Sequence, residues 1–123
     1  MKPFSIHARL RSFVYAFRGI CFCISQEHNA WIHSLIAILV ISAGFIFRIS
    51  TMEWIAVLLC IAIVFAAEII NTAIERLIDK LSPDFQPDAG TIKDLTAGAV
   101  LICAFFSAII GLMIFVPKIY AMF

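Results

Sequence analysis

The sequence carries very little charge for its length. Of its 123 residues, 9 are Lys or Arg and 8 are Asp or Glu, so charged residues make up 14% and hydrophobic residues 63%. Soluble proteins have about a quarter charged and about half apolar residues. Because so little polar surface is available, a soluble enzyme is excluded, and the composition predicts an integral membrane protein with one domain over residues 1–123.

The charge balance, cysteines and glycines exclude further classes. A formal net charge of +1 provides no basic stripe for a nucleic acid. The four cysteines form no CxxC pair and no Cys/His spacing typical of zinc, so we predict neither a disulfide nor a zinc site. The five glycines lie far apart, which excludes a P-loop and a glycine-rich kinase loop. His28 and His33 are interpreted as polar packing residues.

Three apolar stretches predict membrane-spanning helices. Residues 30–47 form an uncharged run of about 18 residues, which covers about 27 Å. Residues 95–116 form a longer run, and we expect its helix to stop at Pro117. The apolar run from Trp54 meets Glu68 after about 14 residues, too few to cross a bilayer. We therefore predict that the second span continues through Glu68, over residues 52–78, and that residues 82–90 form a loop.

The segment before the first span, residues 5–24, has the pattern of an amphipathic helix. Apolar residues share one face and polar residues line the other, which predicts a helix lying in the membrane surface. The alternative is an ordinary amphipathic helix packed on the bundle. The apolar face consists of Leu10, Phe13, Val14, Phe17 and Cys21, and the opposite face of Arg11, Tyr15 and Arg18.

The distribution of Lys and Arg predicts the orientation in the membrane. Four basic residues precede the first span and three follow the second, whereas Arg48 alone separates the first two spans. Basic residues favour the cytoplasmic side of a membrane. We therefore expect the N-terminus and the loop after the second span to be cytoplasmic, in a bacterial inner membrane.

The second span carries a polar stripe, and such a stripe must face protein or water. Its members share one helical face because they follow helical spacing. We place its first carboxylate near the inner edge of the hydrocarbon layer and its second at the cytoplasmic headgroups. Ionisable residues at membrane depth are functional candidates, although interhelical hydrogen bonding in an oligomer is an alternative. The stripe consists of Glu68, Asn71, Thr72, Glu75 and Asp79.

Other features predict a divalent cation and an oligomer. Glu27 lies just before the first span, and Asp84, Asp88 and Asp94 lie near the loop after the second. Clustered carboxylates without thiolate or imidazole partners suit a hard cation such as Mg²⁺. The third span contains pairs of small residues four apart, which allow close helix approach and favour a homo-oligomer. These pairs are Ala104 with Ala108 and Ser107 with Gly111.

The polar stripe closely resembles the signature of the prokaryotic diacylglycerol kinase family. The resemblance covers essentially the whole chain and implies small membrane-embedded kinases, each with a surface helix and three spans. It further implies that they form homotrimers, use ATP and Mg²⁺, and build active sites between neighbouring protomers. The residues that carry it are Glu68-Ile69-Ile70-Asn71-Thr72-Ala73-Ile74-Glu75 with Asp79, Tyr15-Ala16-Phe17-Arg18-Gly19, Glu27, and Lys93-Asp94 followed by Ala97-Gly98-Ala99-Val100.

The same resemblance implies roles for individual residues. Glu68 corresponds to the general base, and Asn71 to a residue that orients the catalytic groups. Glu27 and Glu75 correspond to a pair that binds the metal and, through it, the nucleotide. The other implied nucleotide contacts are Tyr15, Asp84, Phe85, Gln86, Lys93 and Asp94.

The favoured hypothesis is a kinase that transfers the γ-phosphate of ATP to the primary hydroxyl of diacylglycerol, giving phosphatidic acid. A second branch of the family phosphorylates undecaprenol to undecaprenyl phosphate, and several features resemble that branch, so both acceptors stay open. Two alternatives come from other classes: an oligomeric ion or proton conduit lined by the acidic groups, and a structural subunit. The features shared with the undecaprenol branch are Glu27-His28-Asn29 with His33, Glu53-Trp54, and the ending from Ile110 to Lys118.

Overall fold

A computed structural model describes residues 1–84 and 86–123, and this part of the chain folds into four helices. The helices are α1 (Ile6–Gln26), α2 (His28–Ile46), α3 (Thr51–Leu81) and α4 (Pro87–Tyr120). The last three are each long and apolar enough to cross a membrane. The predicted all-α membrane fold with an N-terminal helix and three spans is therefore confirmed.

Helices α3 and α4 are longer than a bilayer is thick. With 31 and 34 residues, they reach about 46 and 51 Å at 1.5 Å per residue, against a hydrocarbon layer of about 30 Å. They run antiparallel, so the end of α3 and the start of α4 lie side by side at the same end of the bundle. We call this the loop end of the bundle, because the loop between α3 and α4 lies there.

Two proline positions in α4 differ from the sequence expectation. Pro87 lies in the first turn of α4, so the helix begins before residue 90, within the predicted loop. Proline is favoured there because the first backbone N–H groups of a helix lack intrahelical partners anyway. Pro117 lies inside α4, so the expected stop at that residue is wrong. One missing N–H near the helix end costs one hydrogen bond, and the last turn closes from the Ala121 N–H to the Pro117 carbonyl at 3.1 Å.

Ion pairs join α3 and α4 at both ends of the bundle, and α1 contacts α3 at one end. Lys118 Nζ lies 3.2 Å from Glu53 Oε2, which joins the end of α4 to the start of α3. At the loop end, Lys93 pairs with Asp79, again joining α4 to α3. Helix α1 contacts α3 near its own C-terminus, where the Arg76 guanidinium lies 4.4 Å from the centre of the Phe22 ring.

Helix α1 leaves its apolar face uncovered by the rest of the chain. Cys23 is its one buried residue, and it contacts Thr72 at 3.7 Å between Sγ and Oγ1. Leu10, Phe13 and Phe17 are all exposed. A helix that packed on the bundle along its whole length would bury these side chains. The exposed face is the one expected of a helix in the membrane surface.

The turn between α2 and α3 brings the two helices into close contact. Arg48 adopts a positive φ of 51°, and the Ile49 N–H donates to the Gly44 carbonyl at 3.1 Å, which closes the end of α2. Helix α3 then starts in a capping box, with Ser50 and Glu53 bonded to each other's backbone N–H at 3.2 Å. The Trp54 ring consequently packs directly on the backbone of Gly44.

We predict that Gly44→Ala destabilises this turn. A Cβ at residue 44 would lie 2.6 Å from Cη2 and 2.8 Å from Cζ2 of Trp54, too close for the ring to stay in place. Overpacking of this kind costs about 1–3 kcal/mol. Unfolding of the purified protein in detergent should therefore begin at a lower temperature or denaturant concentration.

A double-mutant cycle isolates the cause of this destabilisation. If the clash with the ring is responsible, Gly44→Ala should cost much less in a Trp54→Leu background than in the wild type. Gly98→Ala is the control, because a Cβ there meets no atom within 4 Å. An equal cost of Gly44→Ala in both backgrounds would contradict the proposed contact.

Candidate active site

The polar stripe of α3 is buried where it passes through the bundle. Glu68, Asn71 and Thr72 have exposed fractions of 2%, 8% and 5%. Glu75 is half-buried and Asp79 is exposed, so burial decreases toward the loop end. The stripe therefore faces protein at its deep end and water at its outer end, as a polar face on a membrane helix requires.

The deep end of the stripe contains a carboxylate paired with a histidine. Glu68 Oε1 lies 3.3 Å from Nε2 of His33 on α2. The side chain of His33 is 21% exposed, so both members of the pair are largely removed from solvent. Sequence reasoning interpreted His33 as a packing residue and did not connect it to Glu68. An ionisable side chain inside a predicted span was the available signal.

One turn further along α3, Asn71 connects the stripe to Glu75. Its Nδ2 donates a hydrogen bond to Glu75 Oε1 at 3.3 Å. Its buried Oδ1 has no hydrogen-bond partner among the described residues. Asn71 therefore holds the Glu75 carboxylate with one end of its amide and leaves an acceptor free at the other.

The side chain of Glu75 lines a cleft of about 650 Å³ at the loop end of the bundle. Glu27 lines the same cleft, because the extended residue 27 separates α1 from α2 and places its side chain beside α3. The predicted metal pair thus faces one space. Arg76, Asp79 and Lys80 line the rest of it.

Sequence reasoning missed the two cations of this cleft. It named Lys93 as the basic nucleotide contact, whereas Arg76 and Lys80 are the basic residues in the lining. Arg76 and Lys80 are four residues apart and share one face of α3, but they lie one and five residues after Glu75 and so are off the face of the stripe, which is why helical spacing did not indicate them. Lys93 lies beside the cleft through its pair with Asp79.

The remaining predicted nucleotide contacts lie on the surface, and the single chain does not bring them to the cleft. Tyr15 is exposed, with the Arg18 guanidinium 5.6 Å from its ring centre. Asp84, Gln86 and Asp94 are also exposed. Phe85 lies outside the described residues.

The donor set of the cleft suits a metal ion that arrives with phosphates. Within residues 1–84 and 86–123, no group of three His, Cys, Asp or Glu side chains could hold a metal by itself. Glu27 and Glu75 both line this cleft and are carboxylates, the kind of oxygen donor that a hard cation prefers. Mg²⁺ is ordinarily bound by one or two carboxylates together with substrate phosphates, so these residues fit that ion.

A separate apolar groove has His33, one member of the buried pair, in its lining. Its volume is about 370 Å³, and it lies between α2, α3 and α4. His33 lines it at the Glu68 level and Phe115 near the opposite end. On the α4 side, the groove is lined by the small residues that sequence analysis related to close helix approach, and here they leave space between the helices. These residues are Ala104, Ser107, Ala108 and Gly111.

Comparisons with known proteins identify the family. A family model described as prokaryotic diacylglycerol kinase matches residues 14–115. The chain is 41% identical over 109 residues to an undecaprenol kinase of Bacillus subtilis, covering 89% of each chain. It is 28% identical over 114 residues to a diacylglycerol kinase of Synechocystis sp., covering 92% of this chain and 65% of that protein. The chain is a lipid kinase and belongs to the prokaryotic diacylglycerol kinase family.

Proposed function

We infer that this lipid kinase transfers the γ-phosphate of ATP to the primary hydroxyl of undecaprenol. The observation that carries the mechanism is the arrangement of α3, on which the buried Glu68 lies two helical turns, about 10 Å, from Glu75 in the cleft. A base at membrane depth and a cleft whose carboxylates suit a metal ion that arrives with phosphates match a reaction between a lipid and a soluble phosphate donor.

The proposed chemistry uses the two ends of the stripe for different tasks. Glu68 accepts the proton of the lipid hydroxyl while the oxygen of that hydroxyl forms a bond to the γ-phosphorus. The bond between that phosphorus and the bridging oxygen of ADP breaks, and ADP leaves. Glu27 and Glu75 would hold Mg²⁺, which would supply positive charge to the phosphates of ATP. Arg76 and Lys80 offer further positive charge to the phosphates in the cleft.

The similarity to the Bacillus protein supports undecaprenol as the acceptor. That relative is named an undecaprenol kinase and matches most of both chains at 41% identity. Diacylglycerol, which the sequence resemblance alone favours, becomes the second candidate, supported by the 28% identical Synechocystis relative. Both acceptors present one primary hydroxyl at the headgroup interface, so the roles of Glu68 and the cleft are the same for either.

We further propose a homotrimer in a bacterial inner membrane, with the loop end of the bundle and the N-terminus on the cytoplasmic side. The concentration of Lys and Arg at these segments supports the orientation, because basic residues favour that side. The exposed positions of Tyr15, Asp84, Gln86 and Asp94 fit a site completed by a neighbouring protomer.

The acceptor can be tested with membranes that contain the protein. When these membranes receive Mg²⁺ and ATP labelled at the γ-phosphate, the label should appear in chloroform-extractable lipid. We expect kcat/KM for undecaprenol to exceed that for diacylglycerol by about tenfold or more. Membranes with Glu68→Gln protein serve as the control. Absence of labelled lipid with both acceptors would favour the ion-conduit alternative.

Substitutions of Glu75 and Glu68 should impair different steps of the reaction. Glu75→Gln should weaken Mg²⁺-ATP binding by about tenfold or more, because a ligand of the metal loses its charge. Glu68→Gln should leave that affinity nearly unchanged while kcat falls by about 10²- to 10⁴-fold, as expected when proton transfer is removed. Both quantities can be measured by equilibrium binding and initial rates in detergent.

Glu53→Gln is the matched control for these variants. It removes a carboxylate from the same helix at the opposite end, where Glu53 pairs with Lys118. We expect it to alter stability without a selective loss of nucleotide affinity or of kcat. Equal losses of Mg²⁺-ATP affinity in Glu75→Gln and Glu68→Gln would contradict the division of roles.

The oligomer can be tested by native mass measurement from detergent or nanodiscs. We expect three copies of the chain per particle. Co-expression of Glu68→Gln chains with chains carrying Asp94→Asn should then restore activity in mixed particles if these residues meet across an interface. A particle that consists of a single chain and is fully active would contradict a site shared between protomers.

A further inference from the structure

His33 lies in a position that the proposed mechanism does not explain. It is on α2, whereas the polar stripe is on α3, and its Nε2 lies 3.3 Å from Glu68 Oε1. It also lines the apolar groove between α2, α3 and α4. The same imidazole therefore contacts the buried Glu68 carboxylate and lines the apolar groove.

Glu68 has few other means of being held in one conformation. In the part of the chain that the structure describes, His33 is the one side chain that contacts the Glu68 carboxylate through an ion pair or a hydrogen bond. A glutamate side chain has three rotatable bonds and loses substantial conformational freedom when fixed. A base must be oriented toward the proton it accepts before that proton can transfer efficiently.

The groove indicates the direction in which Glu68 must be held. Its walls are almost entirely apolar, contributed by side chains such as Ala37, Val64 and Ala108. Such walls accept a hydrocarbon chain and offer nothing to a charged nucleotide. His33 is the one lining residue of this groove that belongs to the set His, Lys, Arg, Asp and Glu. A lipid hydroxyl that enters the groove can therefore meet the His33 imidazole in the wall, with the Glu68 carboxylate 3.3 Å from that ring.

We propose that His33 is a positioning residue that holds the Glu68 carboxylate toward the inner end of the apolar groove. This inference rests on the proposed function, in which Glu68 is the base for a lipid acceptor. One carboxylate oxygen is fixed by the imidazole and the other faces the acceptor hydroxyl. His33 then governs acceptor turnover and has no part in nucleotide binding, which occurs in the cleft of Glu27 and Glu75.

Three substitutions at residue 33 test the contact. His33→Leu removes the donor, and we expect kcat to fall at least tenfold while the KM for Mg²⁺-ATP stays within about twofold. His33→Gln retains a nitrogen at nearly the reach of Nε2 and should recover most of the loss. His33→Asn is shorter, cannot reach Glu68, and should behave like His33→Leu. A residue needed for packing alone would show no such order.

A double substitution and a matched control complete the kinetic test. In a Glu68→Gln background, His33→Leu should cost little further kcat, because both act through one carboxylate. Ser34→Ala is the control, since the neighbouring hydroxyl bonds within its own helix, to the Ala30 carbonyl at 2.8 Å. It should leave kcat unchanged. Full activity of His33→Leu, or equal losses in His33→Gln and His33→Leu, would overturn the proposal.

A spectroscopic readout separates this inference from the proposed function. In protein labelled with ¹⁵N-histidine, Glu68→Gln should shift the ring nitrogen resonances of His33, assigned by their loss in His33→Gln. Glu75→Gln should leave them in place. This result does not depend on kinase activity, whereas lipid labelling by the wild type decides the function. Unchanged His33 resonances in Glu68→Gln would overturn the contact even in an active kinase.

Discussion

A carboxylate within the apolar part of a membrane protein must be covered by other groups, and Glu68 is the residue on which this constraint falls. With 2% of its surface exposed, it depends on neighbouring helices for its polar contacts. Burial of an ionisable group costs several kcal/mol unless polar partners surround it. His33 on α2 supplies one such contact, so the requirement to cover Glu68 also determines how α2 and α3 face each other.

The length of α3 follows from the same constraint. A helix that ended at the edge of the hydrocarbon layer could carry Glu68 but could not contribute the residues that line the cleft. Because α3 continues to Leu81, the stripe passes from a buried carboxylate through Asn71 to Glu75 and the cleft. Helix α4 begins early enough for Lys93 to pair with Asp79 and support this extension. The two long helices together make a rigid connection between membrane depth and water.

The sequence predicted the features that depend on helical periodicity and on apolar run length. The three spans, the N-terminal helix and the shared face of Glu68, Asn71 and Glu75 all follow from such local patterns. Contacts between helices could not be predicted in this way, because periodicity within one helix does not state which face meets which. The His33–Glu68 pair and the packing of Trp54 on Gly44 both required the tertiary structure.

The two prolines of α4 illustrate a second limit of local rules. Proline favours a helix start and disfavours a helix interior, but its effect depends on which backbone groups already lack partners. At Pro87 the missing N–H costs nothing, so a residue expected in a loop begins the helix. At Pro117 one lost hydrogen bond is too small a cost to end a helix whose next residue, Lys118, pairs with Glu53. The tertiary contact therefore prevails over the local preference at this end of the bundle, and the same ion pair fixes the start of α3, the helix that carries the site.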